Sequence, residues 1–141
     1  MQKNGFDVTV ICQKDGSIKA ELNSKHIRFI PVNIPRGVSP AGMVKAIFDL
    51  TKIFRIKQYD MIQYSTPNAA LAAGLAGVFA KIKTRNYHMM GIRYLGFHGI
   101  VKTVFKMLEW ITCLVSTSVE CVSQSNLQMC IHEKLFSQNK G

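Results

Sequence analysis

Acidic residues are scarce in this 141-residue chain: eight Asp and Glu stand against eighteen Lys and Arg, a formal net charge of +10. The folded surface therefore carries a strongly positive field, and an anionic partner is expected. Also missing is any apolar run long enough to cross a bilayer. The longest candidate, Ala69 to Ala80, has twelve uncharged residues, below the ~18 that a hydrocarbon core requires. No C-x-x-C pair and no H-x-x-x-H pair occurs among Cys12, Cys113, Cys121, Cys130, His26, His88, His98 and His132. Zinc or iron thus has no visible site, and no metal is expected. Nothing at the N-terminus reads as a signal peptide, so buried reduced thiols in a cytoplasmic protein are the expectation. Absent too are G-x-G-x-x-G, the G-x-x-x-x-G-K-[ST] phosphate loop, and any helix-turn-helix, zinc finger or aromatic RNA-binding motif. Specific nucleic-acid recognition is accordingly not expected.

What is present is the composition of one folded domain. Apolar residues make up 48% and charged residues 18%, and the length suits a single compact unit. Strand-like runs "DVTVIC" (7–12) and "IRFIPV" (27–32) flank a polar stretch with a turn signal at Asp15-Gly16. Ser39-Pro40 then reads as a helix cap followed by proline at the first helical position, and Val44, Ile47, Phe48, Ile53 and Phe54 recur at helical spacing up to about Lys57.

The same signature returns after the short strand "DMIQYS" at Thr66-Pro67. The helix it opens, Pro67 to about Lys81, is apolar on every side and so is expected to be buried on every side. Its small residues Ala72, Ala73, Gly74, Ala76 and Gly77 permit close approach to a sheet. "TRNYHMM" reads as the next strand, 91–99 as a glycine-rich loop, and Ile100 to about Ser116 as a long amphipathic helix. "VECVS" reads as a last strand, and Asn126 to Phe136 as a closing helix capped by Ser123 or Ser125. Strands separated by helices imply parallel pairing through right-handed crossovers. The expected fold is therefore α/β, a Rossmann-like three-layer α/β/α domain with a mainly parallel sheet.

Ligands of such sheets sit at the carboxyl ends of the strands, against the helix N-termini that follow. Gln63, Tyr64, Ser65, Thr66 and Asn68 occupy one strand end; Met90, Gly91, Ile92, Arg93 and Tyr94 occupy the next, with His88 inside that strand. Hydroxyls, amides, a guanidinium and a helix N-terminus suit a polyhydroxylated or phosphorylated ligand. Structural roles account for several of the same residues: Thr66-Pro67 as a simple cap, His88 as a core or edge residue, Glu109 as a surface or salt-bridged acid. Among the cations, Lys45, Lys52, Arg55, Lys102 and Lys106 are read as facing an anionic membrane, which attracts ~1 kcal/mol per cation near its surface. Met107 and Trp110 are candidate interfacial anchors.

Four collinear segments then carry a resemblance over nearly the whole chain: "FDVTVIC", "IPRGVSPAGMVKAIFDLTKIFRIKQYDMIQYSTPNAAL", "RNYHMMGIRY" and "LEWITCLVSTSVECVSQSNLQMCIHEKLF". In order and spacing they resemble the N-terminal, acceptor-side domain of family-4 retaining glycosyltransferases of the GT-B type, in particular the bacterial capsule and surface-polysaccharide group. The resemblance implies transfer of a sugar from a nucleotide-diphosphate donor, with retention, to an acceptor such as a polyprenyl-diphosphate-linked glycan. It implies substrate contacts at Gln63, Thr66, Asn68, His88, Gly91, Arg93 and Tyr94, no cofactor, and a place at the inner face of the cell membrane.

It also implies that residues 1–141 are one partial domain, lacking the family's opening strand and helix and its C-terminal donor domain, and inactive alone. Gln63, Asn68 and Met90 stand where relatives often have His or Lys, so no catalytic residue is assigned. The competing expectation is a non-catalytic α/β binding module attracted to anionic membrane or nucleic acid.

Overall fold

The structure is a computed structural model and describes residues 5–13, 16–37 and 39–140. Five strands alternate with five helices: β1 (Thr9–Cys12), α1 (Gly16–Ser24), β2 (Arg28–Pro31), α2 (Pro40–Lys57), β3 (Met61–Tyr64), α3 (Pro67–Phe79), β4 (Thr84–Met89), α4 (Gly99–Val115), β5 (Ser118–Cys121) and α5 (Gln124–His132). All pairings are parallel, and the Rossmann-like α/β expectation holds.

Local chemistry explains most boundaries. Ser39 caps α2 by accepting from the Gly42 amide, and Gln58 closes it in the left-handed conformation with its N–H on the Phe54 carbonyl. Ser123 caps α5 through the Asn126 amide. Thr66 holds the N-cap position of α3, but its hydroxyl makes no capping bond.

Helix α1 departs from the expectation of a polar connection. The turn expected at Asp15-Gly16 begins outside the described residues, and a helix follows immediately. The segment 19–22 is made of good helix formers, and Glu21 pairs with Lys25 one turn on, at 2.6 Å. Its larger apolar residues, Ile18 and Leu22, stand one turn apart in a nine-residue helix, too short a repeat to stand out beside the long apolar faces that flag the other helices.

The core lies between the strands and the layer formed by α2, α3 and α4. Ile62 and Tyr64 of β3 and Tyr87 and Met89 of β4 project into it, as strand alternation requires. The small residues of α3 let that helix settle onto the sheet: a Cβ on Gly74 would stand 2.7 Å from Val115 Cγ2 and 3.2 Å from the Tyr64 hydroxyl, and one on Gly77 would stand 2.6 Å from Ile62 Cδ1. Only Val78 and Phe79, at the end of α3, are exposed large apolar residues of this helix. Among the described residues the Tyr59 and Tyr94 hydroxyls are buried without a partner, while other buried polar groups are paired in place. Tyr64 shares a 2.8 Å hydrogen bond with Ser116 at the end of α4, and its ring stacks on Tyr87 at 6.0 Å.

Candidate functional site

Parallel register between β3 and β4, with Tyr64 opposite Tyr87, sends the loops after both strands out of the same end of the sheet. One loop carries Ser65, Thr66 and Asn68 into the start of α3; the other carries Met90 to Tyr94 into a 3-10 turn at Arg93–Gly96. The first-turn amides of α3 point toward this end, where a helix N-terminus favours negative charge.

The predicted site residues divide by what they touch. Thr66 and Gly91 are exposed at the strand ends, and Gln63 is exposed on the face of β3 turned away from the core. Asn68 is engaged in structure: its amide donates to the carbonyls of Pro35 and Gly37, at 2.6 and 3.1 Å, tying the β2–α2 loop to the first turn of α3. His88 points away from the core and faces Glu120 on β5, 3.3 Å from Nδ1 to the carboxylate. Its neighbour on the same face, Asn86, accepts from Ser118.

Arg93 lies with its guanidinium 4.7 Å from the centroid of Phe105, whose ring stacks on Phe97 at 4.6 Å. The loop is thereby clamped onto α4 while Arg93 remains exposed. Tyr94 is different. It is fully buried, with no hydrogen-bond partner on its hydroxyl, so it anchors the loop from below and does not reach a rim. Burial, reinforced by the Glu133 charge, pushes its phenol up to about 12.

Glu109 is the residue whose environment sequence reasoning missed. Expected at the surface or in a salt bridge, it is 5% exposed and accepts from the Tyr87 hydroxyl at 2.5 Å. Burial raises its carboxyl above the ordinary carboxylate range, against the opposing effects of the Tyr87 bond and the Arg93 charge. The signal that could have found it is its position one helical turn before Cys113 and Thr112, on the face of α4 turned toward β4. Burial and the Glu109 charge likewise raise the Tyr87 phenol.

The cations distribute unevenly. Lys45 pairs with Asp49 at 2.9 Å and Arg55 donates to the Phe79 carbonyl at 3.0 Å, while Lys52 and Lys102 are exposed. Lys106 is drawn into an ion pair with Glu133 on the α5 side and is only half-exposed, which holds the Glu133 carboxyl below its usual range. Between these cations lie exposed apolar side chains: Val44, Phe48 and Ile56 on α2, and Ile100, Met107, Trp110 and Leu114 on α4. An open cleft of about 510 Å³ runs beside Trp110 and Leu114, toward Phe136 and Lys140, away from the strand ends. Among the described residues no group of three or more His, Cys, Asp or Glu is arranged to hold a metal ion, and no helix is long and apolar enough to cross a membrane.

The sequence profile described as "Glycosyl transferase 4-like" matches residues 1–118. The chain is 22% identical over 129 residues to the UDP-Gal:alpha-D-GlcNAc-diphosphoundecaprenol alpha-1,3-galactosyltransferase of Escherichia coli, a match covering 91% of this chain and 33% of that protein. In fold it resembles the crystal structure of MurG from Acinetobacter baumannii, with a TM-score of 0.61 and 17% identity, over 89% of this chain and 34% of that one. It therefore spans about a third of the length of each.

Proposed function

The chain belongs to the glycosyl transferase 4-like family, and on that premise we propose that it is the acceptor-binding half of a retaining glycosyltransferase. The complete enzyme moves a sugar from a nucleotide-sugar to a lipid-linked or polysaccharide acceptor, and a donor-binding domain absent from these 141 residues supplies the other half. Alone, the chain binds acceptor and transfers nothing.

One observation carries this reading: two adjacent parallel β-to-α junctions open at the same sheet end, beside a helix N-terminus whose capping hydroxyl is unengaged. Thr66 and Arg93 are the exposed groups assigned to meet an acceptor, with Gly91 in the same loop as Arg93, while Gln63 and His88 belong to the site as residues of the two strands that lead to it. Asn68 and Tyr94 serve by holding the two loops in place. A diphosphate suits this end of the sheet, since first-turn amides and a guanidinium both favour anions. The E. coli relative's name specifies an acceptor of that chemistry, a diphosphoundecaprenol-linked GlcNAc.

The test is a binding titration with N-acetylglucosamine linked through diphosphate to a short prenyl chain. Saturable binding is expected, weakened about tenfold by Arg93→Ala, as loss of one charge-assisted hydrogen bond of ~1.5 kcal/mol implies. Thr66→Ala has a smaller effect in the same direction. Absence of binding, or equal binding by both variants, would remove the acceptor site from this sheet end.

Attachment at a membrane face belongs to the same reading. The exposed apolar side chains of α2 and α4 lie among Lys45, Lys52, Arg55 and Lys102, the pairing of anchors and cations that an anionic interface attracts. Sedimentation with phosphatidylglycerol vesicles should capture the chain at low salt and release most of it at high salt. Salt-insensitive capture, or none, refutes it.

A further inference from the structure

Met89, Cys121 and Cys130 bring sulfurs from three elements together at the end of β4. Met89, the last residue of that strand, stands opposite Cys121, the last residue of β5. Alternation turns both toward the core, since Tyr87 and Val119, two residues earlier on each strand, are buried there. Cys130 of α5 is fully buried, with its Sγ 3.5 Å from Met89 Sδ. Its thiol also lies within hydrogen-bonding reach of the Cys121 sulfur. The two cysteines differ in access: Cys121 is partly exposed, whereas Cys130 has no exposed surface.

An accessible thiol with a second thiol beside it is the arrangement that turns oxidation into a reversible disulfide before an irreversible acid can form. We propose that Cys121 and Cys130 are a dithiol oxidation site that reacts with hydroperoxides, of which hydrogen peroxide is the simplest. The Cys121 sulfur, losing its proton, attacks one peroxide oxygen and the O–O bond breaks. The hydroxide that leaves takes up that proton as water, and Cys121 becomes a sulfenic acid. The Cys130 sulfur then attacks the Cys121 sulfur, the S–O bond breaks, and hydroxide leaves with the Cys130 proton as a second water. Two thiols have thus given two electrons to one peroxide and are joined by one S–S bond. Burial raises both thiols, so thiolate is scarce and the first step is slow at neutral pH. The second step is fast by comparison, because its sulfur is already in place. The bond fastens α5 to the end of the sheet. Cys130, Met89 and Tyr94 share one buried cluster, and α5 is tied to α4 by the pairing of Lys106 with Glu133. What becomes fixed is therefore the floor beneath the loop that carries Gly91 and Arg93. This inference rests on the packing of sulfurs and holds whichever acceptor the site takes.

Peptide mapping tests the pairing. The folded, reduced chain is treated with hydrogen peroxide, its remaining thiols are capped with N-ethylmaleimide in urea, and it is cut after glutamate. Cleavage at Glu120 and Glu133 releases 121–133, which holds Cys121 and Cys130 and no other cysteine, while Cys113 falls in 110–120. The 121–133 peptide should be uncapped and two hydrogens lighter than its reduced form, and dithiothreitol should return two thiols that can be capped. In Cys121→Ser, Cys130 should stay a thiol through the same treatment. The bond should also suit the fold: the oxidised chain is expected to melt about 5 °C or more above the reduced one. Amide exchange across 90–96 should slow severalfold. Capping of both cysteines after peroxide overturns the proposal. So does Cys121 oxidised beyond the sulfenic acid beside a free Cys130, or a disulfide from either one to Cys12, Cys113 or a second chain. An oxidised chain that melts below the reduced one shows that the folded geometry rejects the bond, and unchanged exchange across 90–96 removes the coupling to the loop.

Discussion

Tyr87, on the middle strand of the three-stranded sheet, donates its hydroxyl proton to the buried carboxylate of Glu109 on α4. This bond joins sheet to helix directly beneath the loop that carries Arg93 and Tyr94. Arg93 stands above Phe105 of the same helix, so α4 sets the position of the loop through both its core face and its edge.

The pH dependence of stability follows from Glu109. Burial raises its carboxyl in the folded state, so the folded chain holds a proton that the unfolded chain releases at an ordinary carboxylate pH. Where the unfolded state binds fewer protons, stability falls as pH rises. The Glu109 contribution is thus most favourable below the unfolded value and is lost as pH climbs toward the folded one. Glu109→Gln keeps an acceptor for Tyr87 and removes the titration. Its melting temperature relative to the parent should rise as pH climbs above the unfolded carboxylate value; a difference that stays constant with pH would show that burial does not raise the Glu109 carboxyl.

Tyr87→Phe leaves the Glu109 carboxyl without its donor. Leaving a buried polar group unsatisfied costs about 1–3 kcal/mol. In a Glu109→Gln background the same change should cost less, because a neutral amide is cheaper to leave unpaired than a carboxylate. A urea-denaturation double-mutant cycle reads the coupling, and additive effects would separate the two residues.

Gly74 and Gly77 should both resist enlargement. Alanine gains about 1 kcal/mol of helix propensity over glycine, while overpacking a core typically costs about 1–3 kcal/mol. At Gly74 the added carbon meets the short, branched Val115 and the Tyr64 hydroxyl held by Ser116. At Gly77 it meets Ile62 Cδ1 at 2.6 Å and Arg85 Cδ at 2.9 Å, and the Arg85 side chain is held by its bonds to the Val115 and Ile82 carbonyls. Gly74→Ala and Gly77→Ala should therefore each lower the melting temperature, and a variant that melts at or above the parent contradicts the packing described at its site.

Asn68→Ala should remove two side-chain bonds to the β2–α2 loop, at a cost of about 1–2 kcal/mol. Proteolysis near residues 35–37 should quicken in the variant. Unchanged stability with weakened acceptor binding would instead make Asn68 a ligand contact.

Much of the fold was legible because local chemistry wrote it. Ser39-Pro40 marked the start of α2, and the uncharged, small-residue segment after Thr66 announced a helix buried against strands. That the loops carrying Thr66 and Arg93 leave the same end of the sheet followed from alternation of strand and helix. Helix α1 was not legible, since its one apolar pair at helical spacing, Ile18 and Leu22, is too short a repeat to mark a helix, and the element is held by an i, i+4 ion pair and by contact with β2.

Within the candidate site, side-chain direction was the part left open. Sequence spacing placed Arg93 and Tyr94 side by side, yet Arg93 is exposed and Tyr94 is sealed under the loop. A 3-10 turn rotates successive residues to different sides, and only contact with α4 decides which side is inward.

By itself the sequence determined the order and kind of most elements, the positive charge and the end of the sheet from which the β3 and β4 loops emerge, because each depends on short-range preference or on composition. Tertiary structure alone decided that Glu109 is buried, that Asn68 is a brace, and that the strands of the described residues part into two sheets. Those outcomes depend on which residues distant in the chain come into contact, a relation that no local pattern encodes.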